Sequence, residues 1–511
     1  MKGWHSAAMI LRTFSNLAAA AALAAALPTI AIAQDKADAA KSEAPSIDPQ
    51  VRTRDLSGTF GGQRIGYTAT IAEHVLSNDD GKPEAVIVTT SYLKSPRDTS
   101  RPVFFIYNGG PGSGSVWLQM GAFGPKRVAI PSDARDDGAP PYPILDNPDS
   151  LLDVADLVFI DPPGTGFSYL TKGTDPEKYY GLEQDARAVA TVIRRWINDN
   201  NRWNSPKYLG GESYGTTRTA MVVRELEGAT YNDVGLNGLI LISTILDFAA
   251  REPTPGNEMA YVMALPNMAT AAYYHGKAQA PSVEAIAEQA RQFAIGPYAT
   301  ALMKGQDLPA AERASVRAEL SRLTGLSEAF LDQAELRVTD QRFYKELLRD
   351  RGLTIGRLDS RYTGTDYDDA GEYPDNDPSF YGIDAGYTAA INAWTRGTLG
   401  FETDREYQAI GSDPGRYWDW TLPSRGRGAY LNVAPFIGDA MRQNSQLRTF
   451  VGQGWYDFAT PFFGAEYSLN RVGIPQDRVE FHYYDAGHMM YIRDEDRAKL
   501  SRDIRAFIRA R

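Results

Sequence analysis

Ser213, Asp457 and His488 have the residue types and the chain order needed for nucleophilic hydrolysis. Ser213 lies in Lys207-Tyr208-Leu209-Gly210-Gly211-Glu212-Ser213-Tyr214-Gly215, which reads as a short strand, a tight turn and a helix start. Gly211-x-Ser213-x-Gly215 fits a nucleophile elbow. Side chains at the two flanking positions would collide with the neighbouring strand and helix, so both are glycine. The serine is thereby held in a strained backbone conformation with its hydroxyl lifted clear of the sheet edge. The helix that follows, from about Thr216 to Glu227, points its N-terminus at the site and favours negative charge there. Alone, the motif also fits a plain Gly-rich turn; an acid and a histidine downstream give it weight.

A serine hydroxyl needs a base to take its proton as it attacks. The candidates are His5, His74, His275, His482 and His488. His5 falls in the N-terminal leader. His74 and His275 lack a glycine-rich turn and read as surface or packing residues. His482 lies within a strand. His488 sits in Asp485-Ala486-Gly487-His488-Met489, a turn just beyond that strand, where such a base belongs. The third member should orient the imidazole and stabilise its cation. Asp457, in Gly454-Trp455-Tyr456-Asp457-Phe458, follows the preceding strand; Asp485, in the histidine's own turn, is its competitor. A tetrahedral intermediate needs donors for its oxyanion. The Tyr214 N–H supplies one, and Asn108-Gly109-Gly110-Pro111-Gly112, after an early strand, is placed to supply the other.

The elements that must carry these residues are legible as patterns. Ile65 to Ala72 and Ala85 to Leu93 alternate apolar and polar residues, as an antiparallel pair at a sheet edge would. Val103–Tyr107, Leu157–Ile160 and Leu239–Ile242 are continuous apolar runs suited to central parallel strands. Leu182, Ala186, Val189, Ile193, Trp196 and Ile197 share one helical face. Strand alternating with helix predicts an α/β fold with a doubly wound, mostly parallel sheet. With the elbow, this is the α/β-hydrolase fold. After Asp247 helices dominate, and Tyr362 to Tyr387 is aperiodic and rich in Tyr, Asp, Gly and Pro. Asp366, Asp368, Asp369 and Asp375 read as a solvated acidic loop, because calcium-loop spacing is missing. Residues 249–427, including Trp394, Trp418 and Trp420, are expected to form a mainly helical cap inserted between hydrolase segments 51–248 and 428–511. Leu447–Gly452 and Val479–Tyr484 resume the sheet. Asp494 is the expected N-cap of a last helix whose face is Leu500, Ile504, Phe507 and Ile508.

Composition narrows the function classes. Lys+Arg 53 against Asp+Glu 64 gives a net charge of −11 without a basic cluster, so nucleic acid and anionic membranes are poor partners. The absence of cysteine removes disulfides, cysteine–zinc sites and a thiol nucleophile. Neither HExxH nor paired-histidine spacing occurs, so no metal and no cofactor is expected. Lys2 and Arg12 precede an Ala/Leu-rich run from Leu17 to Leu27, and Ala31-Ile32-Ala33 fits a small-x-small cleavage site. The run is short for crossing a hydrocarbon core of about 30 Å. Residues 1–33 therefore read as a cleaved signal peptide and 34–50 as a linker. The expected location is the bacterial periplasm or outside the cell, with no stable membrane anchor after cleavage.

Asn108-Gly-Gly-Pro-Gly-Ser113, Asp161-Pro-Pro-Gly-Thr-Gly-Phe-Ser-Tyr169, Gly211-Glu-Ser-Tyr-Gly215 and Gly487-His488-Met489, taken in order, resemble the serine carboxypeptidases. The resemblance covers most of the hydrolase segments and does not extend through the cap. It implies that Ser213, Asp457 and His488 form the triad. It implies that the N–H groups of Gly110 and Tyr214 make the oxyanion hole. Asn108, the Gly109 N–H and Glu212 would then hold the C-terminal carboxylate of a peptide substrate. Two positions depart from the pattern. Ser113 stands where many relatives carry a cysteine, and Ala122 where they commonly carry a glutamate that pairs with the one beside the nucleophile. The implied activity is removal of C-terminal residues from peptides through an acyl-enzyme. The alternative is an esterase or acyltransferase using the same triad.

Overall fold

Val103–Tyr107 (β4) and Asp156–Asp161 (β5) are buried along their whole length, as continuous apolar runs in a covered sheet must be. The computed structural model describes residues 47–227, 233–422 and 430–510. The leader read over residues 1–33 and most of the linker read over 34–50 lie outside the described residues. Ahead of β4 come Val51–Phe60 (β1), Gln63–Ser77 (β2) and Pro83–Ser95 (β3). After β5 come Lys207–Ser213 (β6), Gly238–Thr244 (β7), Arg448–Gly454 (β8) and Val479–Tyr484 (β9). Their order in the sheet is β1-β2-β3-β5-β4-β6-β7-β8-β9, with Tyr169–Leu170 pairing beside β3. The first three strands and their junction to β5 are antiparallel; every later pairing is parallel. The expected edge pair, β2 and β3, thus lies one strand in, because β1 pairs with β2 from Gln63 to Ala72.

The chain leaves β4 in one direction and β6 in the other. These neighbours therefore flank a topological switch point, where open α/β sheets place their ligand crevice. Tyr107 at the end of β4 pairs with Gly211 of β6, which sets the Asn108–Gly112 loop beside the elbow.

Alternate side chains of each central strand enter opposite cores. Val103, Phe105, Tyr107, Leu239 and Leu241 pack under the helices Leu182–Asp199 (α1), Tyr214–Glu227 (α2) and, later in the chain, Ala434–Gln443. Phe104, Ile106, Ile240 and Ile242 face the other way, toward Leu500, Ile504, Phe507 and Ile508 of the helix Asp494–Arg509. That helix is not capped as expected: Asp494 is its first residue, and its own N–H donates to Ser132 Oγ.

The stretch read as one insertion divides between two cores. Helices from Glu258–Tyr274 (α3) to Asp340–Glu346 form a core of their own against Trp455, Phe458 and Phe462. Tyr387, Ile391 and Trp394 instead complete the core of the sheet, and Trp394 Nε1 donates to Tyr92 Oη at 2.7 Å. Aromatic bulk decides this, since these rings bury only against another apolar face. The acidic loop is also only partly solvated: Asp366 is buried and ion-paired to a buried Lys345 at 2.6 Å.

Candidate active site

Ser213 has φ +63°, a left-handed conformation that side-chain-bearing residues rarely hold. The glycines around it explain how the turn closes. A Cβ on Gly211 would lie 2.1 Å from the Gly215 carbonyl oxygen, and one on Gly215 would lie 3.0 Å from the Tyr107 carbonyl oxygen. Glu212 and Tyr214 are buried while Ser213 is half-buried, so the elbow presents the serine and hides its neighbours. The Asn108–Gly112 loop presses on the same turn. A Cβ on Gly109 would sit 2.6 Å from the Tyr214 nitrogen. Buried Arg218, one turn along α2, pairs with Asp185 and donates to the Asn108 carbonyl, tying loop and helix together.

Asp457 and His488 come together at the ends of β8 and β9. His488 Nδ1 donates to Asp457 Oδ2 at 2.8 Å, and both side chains are buried. With Nδ1 so engaged, the neutral ring carries its lone pair on Nε2. Burial works against a charged His488. The charge and hydrogen bond of Asp457, and then Glu212, outweigh it and hold the imidazole above its ordinary range. Asp485 is not at this position: its exposed carboxylate lies 4.0 Å from Arg493.

Supporting residues complete the acid loop. The Thr460 N–H and hydroxyl donate to the two oxygens of Asp457 at 3.0 and 2.7 Å. Asn267 Nδ2, from α3, donates to the Asp457 carbonyl at 2.7 Å. Ser243, at a bulge in β7 with φ +50°, donates to the His488 carbonyl at 2.6 Å. Asp359, from the inserted stretch, accepts from the Gly487 N–H at 3.0 Å. None of these was identified from sequence. Only Thr460 left a signal, three residues after an aspartate, at the spacing of a local side-chain cap.

Glu212 is buried beside the nucleophile. Burial pushes its carboxyl up to about 7, against the charge of His488 and the donors Tyr491 and Asn108, while Asp457 adds repulsion. Tyr491 donates to Glu212 Oε2 at 2.7 Å. Asn108 accepts at Oδ1 from the Leu118 N–H at 3.1 Å and turns its amide NH2 toward Glu212. Ala122 is buried in the Leu118–Phe123 turn and brings no carboxyl. On the other side of the elbow, Trp418 and Trp420 pack edge-on to Tyr214, with centroids 5.2 and 5.8 Å away.

The sheet order, with a strained serine at the end of β6, is that of the α/β-hydrolase fold. The serine carboxypeptidase family model matches residues 91–308, which include Asn108, Glu212 and Ser213 but precede Asp457 and His488. The resemblance read from the motifs is thus matched by the family model over this part of the chain. A pheromone-processing carboxypeptidase of Ogataea parapolymorpha is 32% identical over 135 residues, 26% of this chain and 20% of that protein. The match thus spans about a fifth of that relative's length. Among solved structures, an esterase from Rhodococcus sp. matches at 12% identity, covering 86% of this chain and 98% of its own, with TM-score 0.35. A haloalkane dehalogenase loop variant from Bradyrhizobium elkanii matches at 12% identity, covering 86% and 96%, with TM-score 0.34.

Proposed function

We propose that this protein is a secreted exopeptidase that removes C-terminal residues from peptides through an acyl-enzyme. Ser213 attacks the last peptide carbonyl, and His488 takes its proton and returns it to the leaving amine. Asp457 fixes the imidazole tautomer and steadies the cation. The N–H groups of Gly110 and Tyr214 receive the oxyanion. Asn108, the Gly109 N–H and Glu212 hold the terminal carboxylate. Water then releases the shortened peptide from Ser213.

The observation that carries the reading is the buried carboxyl of Glu212 next to the nucleophile, pushed up to about 7. A protonated carboxyl can donate to a carboxylate, whereas an ionised one repels it. An ester, or a peptide cut internally, brings no C-terminal carboxylate for such a group to meet. Ala122 favours the second reading, an esterase or acyltransferase on the same triad, because the partner carboxyl expected for Glu212 is missing. The inserted stretch is proposed to roof the site and set side-chain preference. Residues 1–33 are proposed to direct export; among the described residues no helix is long and apolar enough to cross a membrane. The deciding experiment is hydrolysis of a peptide library beside C-terminally amidated copies. Preference for free carboxylates supports the exopeptidase; equal rates on both sets, or activity confined to esters, overturns it.

A further inference from the structure

Glu212 and Tyr491 are 279 positions apart, yet the Tyr491 hydroxyl donates to Glu212 Oε2 at 2.7 Å and both side chains are buried. Tyr491 belongs to the short turn Met490–Ile492, directly after the His488 loop. Its ring and the Tyr387 hydroxyl crowd Gly121: a Cβ there would lie 2.8 Å from the Tyr491 ring and 2.4 Å from Tyr387 Oη. A phenol, and not a carboxyl from the 121–125 segment, is therefore what meets Glu212.

We propose that Tyr491 is a positioning residue for carboxylate recognition, confining the Glu212 proton to Oε1 and leaving that oxygen to donate to the substrate's C-terminal carboxylate. The inference rests on the exopeptidase reading above. Oε2 already accepts the phenol hydrogen, so a proton on the carboxyl goes to Oε1. A phenol differs from a second carboxyl in one respect that matters. Burial, then the charge of Glu212, hold Tyr491 well above the ordinary phenol range, so it stays a donor at every working pH. Two carboxyls would share a proton and titrate as a coupled pair. Here a single carboxyl loses a single proton. The groups that face Glu212 are His488 and Asp457 from the turns after β9 and β8, Asn108 from the end of β4, Tyr491, and Tyr387 from the helix Asp384–Asn392.

The sign of the effect follows. The Tyr491 hydroxyl stabilises the ionised form of Glu212, so removing it makes that form harder to reach. The high-pH limb of peptide kcat/KM depends on Glu212 keeping its proton, and Tyr491→Phe should move that limb upward by about one pH unit. With the proton no longer confined, peptide KM below the limb should rise severalfold, while a small activated ester and an amidated peptide change less than about twofold. The Glu212→Gln variant should lack the limb, and adding Tyr491→Phe to it should shift nothing further.

The test is a set of pH profiles on a peptide and its amide for wild type, Tyr491→Phe, Glu212→Gln and the double variant, with melting temperatures as a check on folding. A raised limb in Tyr491→Phe that vanishes in the Gln background supports the proposal. An unmoved limb in Tyr491→Phe, with the limb lost in Glu212→Gln, overturns the role of Tyr491 and leaves the exopeptidase reading intact. A limb that persists in Glu212→Gln overturns both. Should Tyr491→Phe not fold, Tyr491→Met removes the same donor at similar bulk and is read the same way: a raised limb that vanishes in the Gln background supports the role, and an unmoved one overturns it.

Discussion

The backbone N–H of His488 donates to the carbonyl of Leu358 at 2.6 Å, so the proposed base is held by the inserted stretch and not by the sheet alone. The same short segment bonds the acid loop. Phe458 N–H donates to the Arg357 carbonyl at 3.1 Å, and Ser360 N–H to the Tyr456 carbonyl at 3.0 Å. Gly487 must be glycine to admit it, since a Cβ there would lie 2.4 Å from the Leu358 oxygen. The Asp359 carboxylate joins in through the Gly487 N–H and is itself held by Arg361 at 2.6 Å. Residues 357–361 thus form a wedge between the turns that carry Asp457 and His488.

Removing that wedge contact should misplace the base without touching substrate. Asp359→Ala is expected to lower kcat by roughly tenfold or more on a peptide and on an activated ester alike, because small displacements of a reacting group are costly. Asp359→Asn keeps an oxygen for the Gly487 N–H and should fall between. A loss confined to peptides would show instead that the segment binds substrate.

The acid assignment is tested by paired substitutions. Ser213→Ala and His488→Ala should each reduce kcat by several orders of magnitude, since such residues act as a unit. Asp457→Asn should give a folded enzyme with kcat down roughly three to four orders of magnitude, the imidazole being left in the wrong tautomer. Asp485→Asn, at an exposed carboxylate near Arg493, should change kcat less than about twofold. Reversal of these last two results would replace Asp457 as the acid.

Trp420 is 46% exposed and packs against both Tyr214 and Phe248, which places an aromatic wall beside the nucleophile. Trp420→Ala should change KM and side-chain selectivity on peptides severalfold while kcat/KM on a small activated ester stays within about twofold. Parallel losses on the two substrates would make the wall structural.

Much of this site was legible because local stereochemistry leaves few alternatives. The elbow excludes a side chain at Gly211 and crowds one at Gly215, and continuous apolar runs such as Val103–Tyr107 suit strands covered on both faces. What stayed hidden depends on contacts between distant segments. Tyr491 meets Glu212 across 279 positions, and Asp359 meets Gly487 across 128, with no periodicity to announce either. Trp394 looked like part of a roof because its neighbours in sequence are irregular, yet its ring and Nε1 find Tyr92 in the sheet's own core. Asp366 looked solvated because it stands among other aspartates; a buried Lys345 from a separate helix sets its environment.

The raised carboxyl of Glu212 also bears on stability. Its ordinary value is 4.5, and in the folded protein burial pushes it up to about 7. The folded state therefore holds this proton more tightly than the unfolded chain. Below pH 4.5 both states keep it, and the burial costs nothing in charge. As pH rises from 4.5 the unfolded chain ionises first, so stability declines until about 7, where the folded carboxyl ionises too and the penalty levels off. The full difference is on the order of 3 kcal/mol. His488, held above its ordinary 6.5, loses its own contribution as pH rises from 6.5, so the two losses overlap at the upper end of this interval and wild type alone cannot separate them there. Glu212→Gln can: its amide keeps an oxygen for the Tyr491 hydroxyl and cannot ionise. The variant should melt higher than wild type at pH 8, and the gap should close as pH falls toward 4.5. Melting temperatures at matched ionic strength across that range decide it. A gap that does not depend on pH would mean that packing, and not the buried charge of Glu212, separates the two proteins.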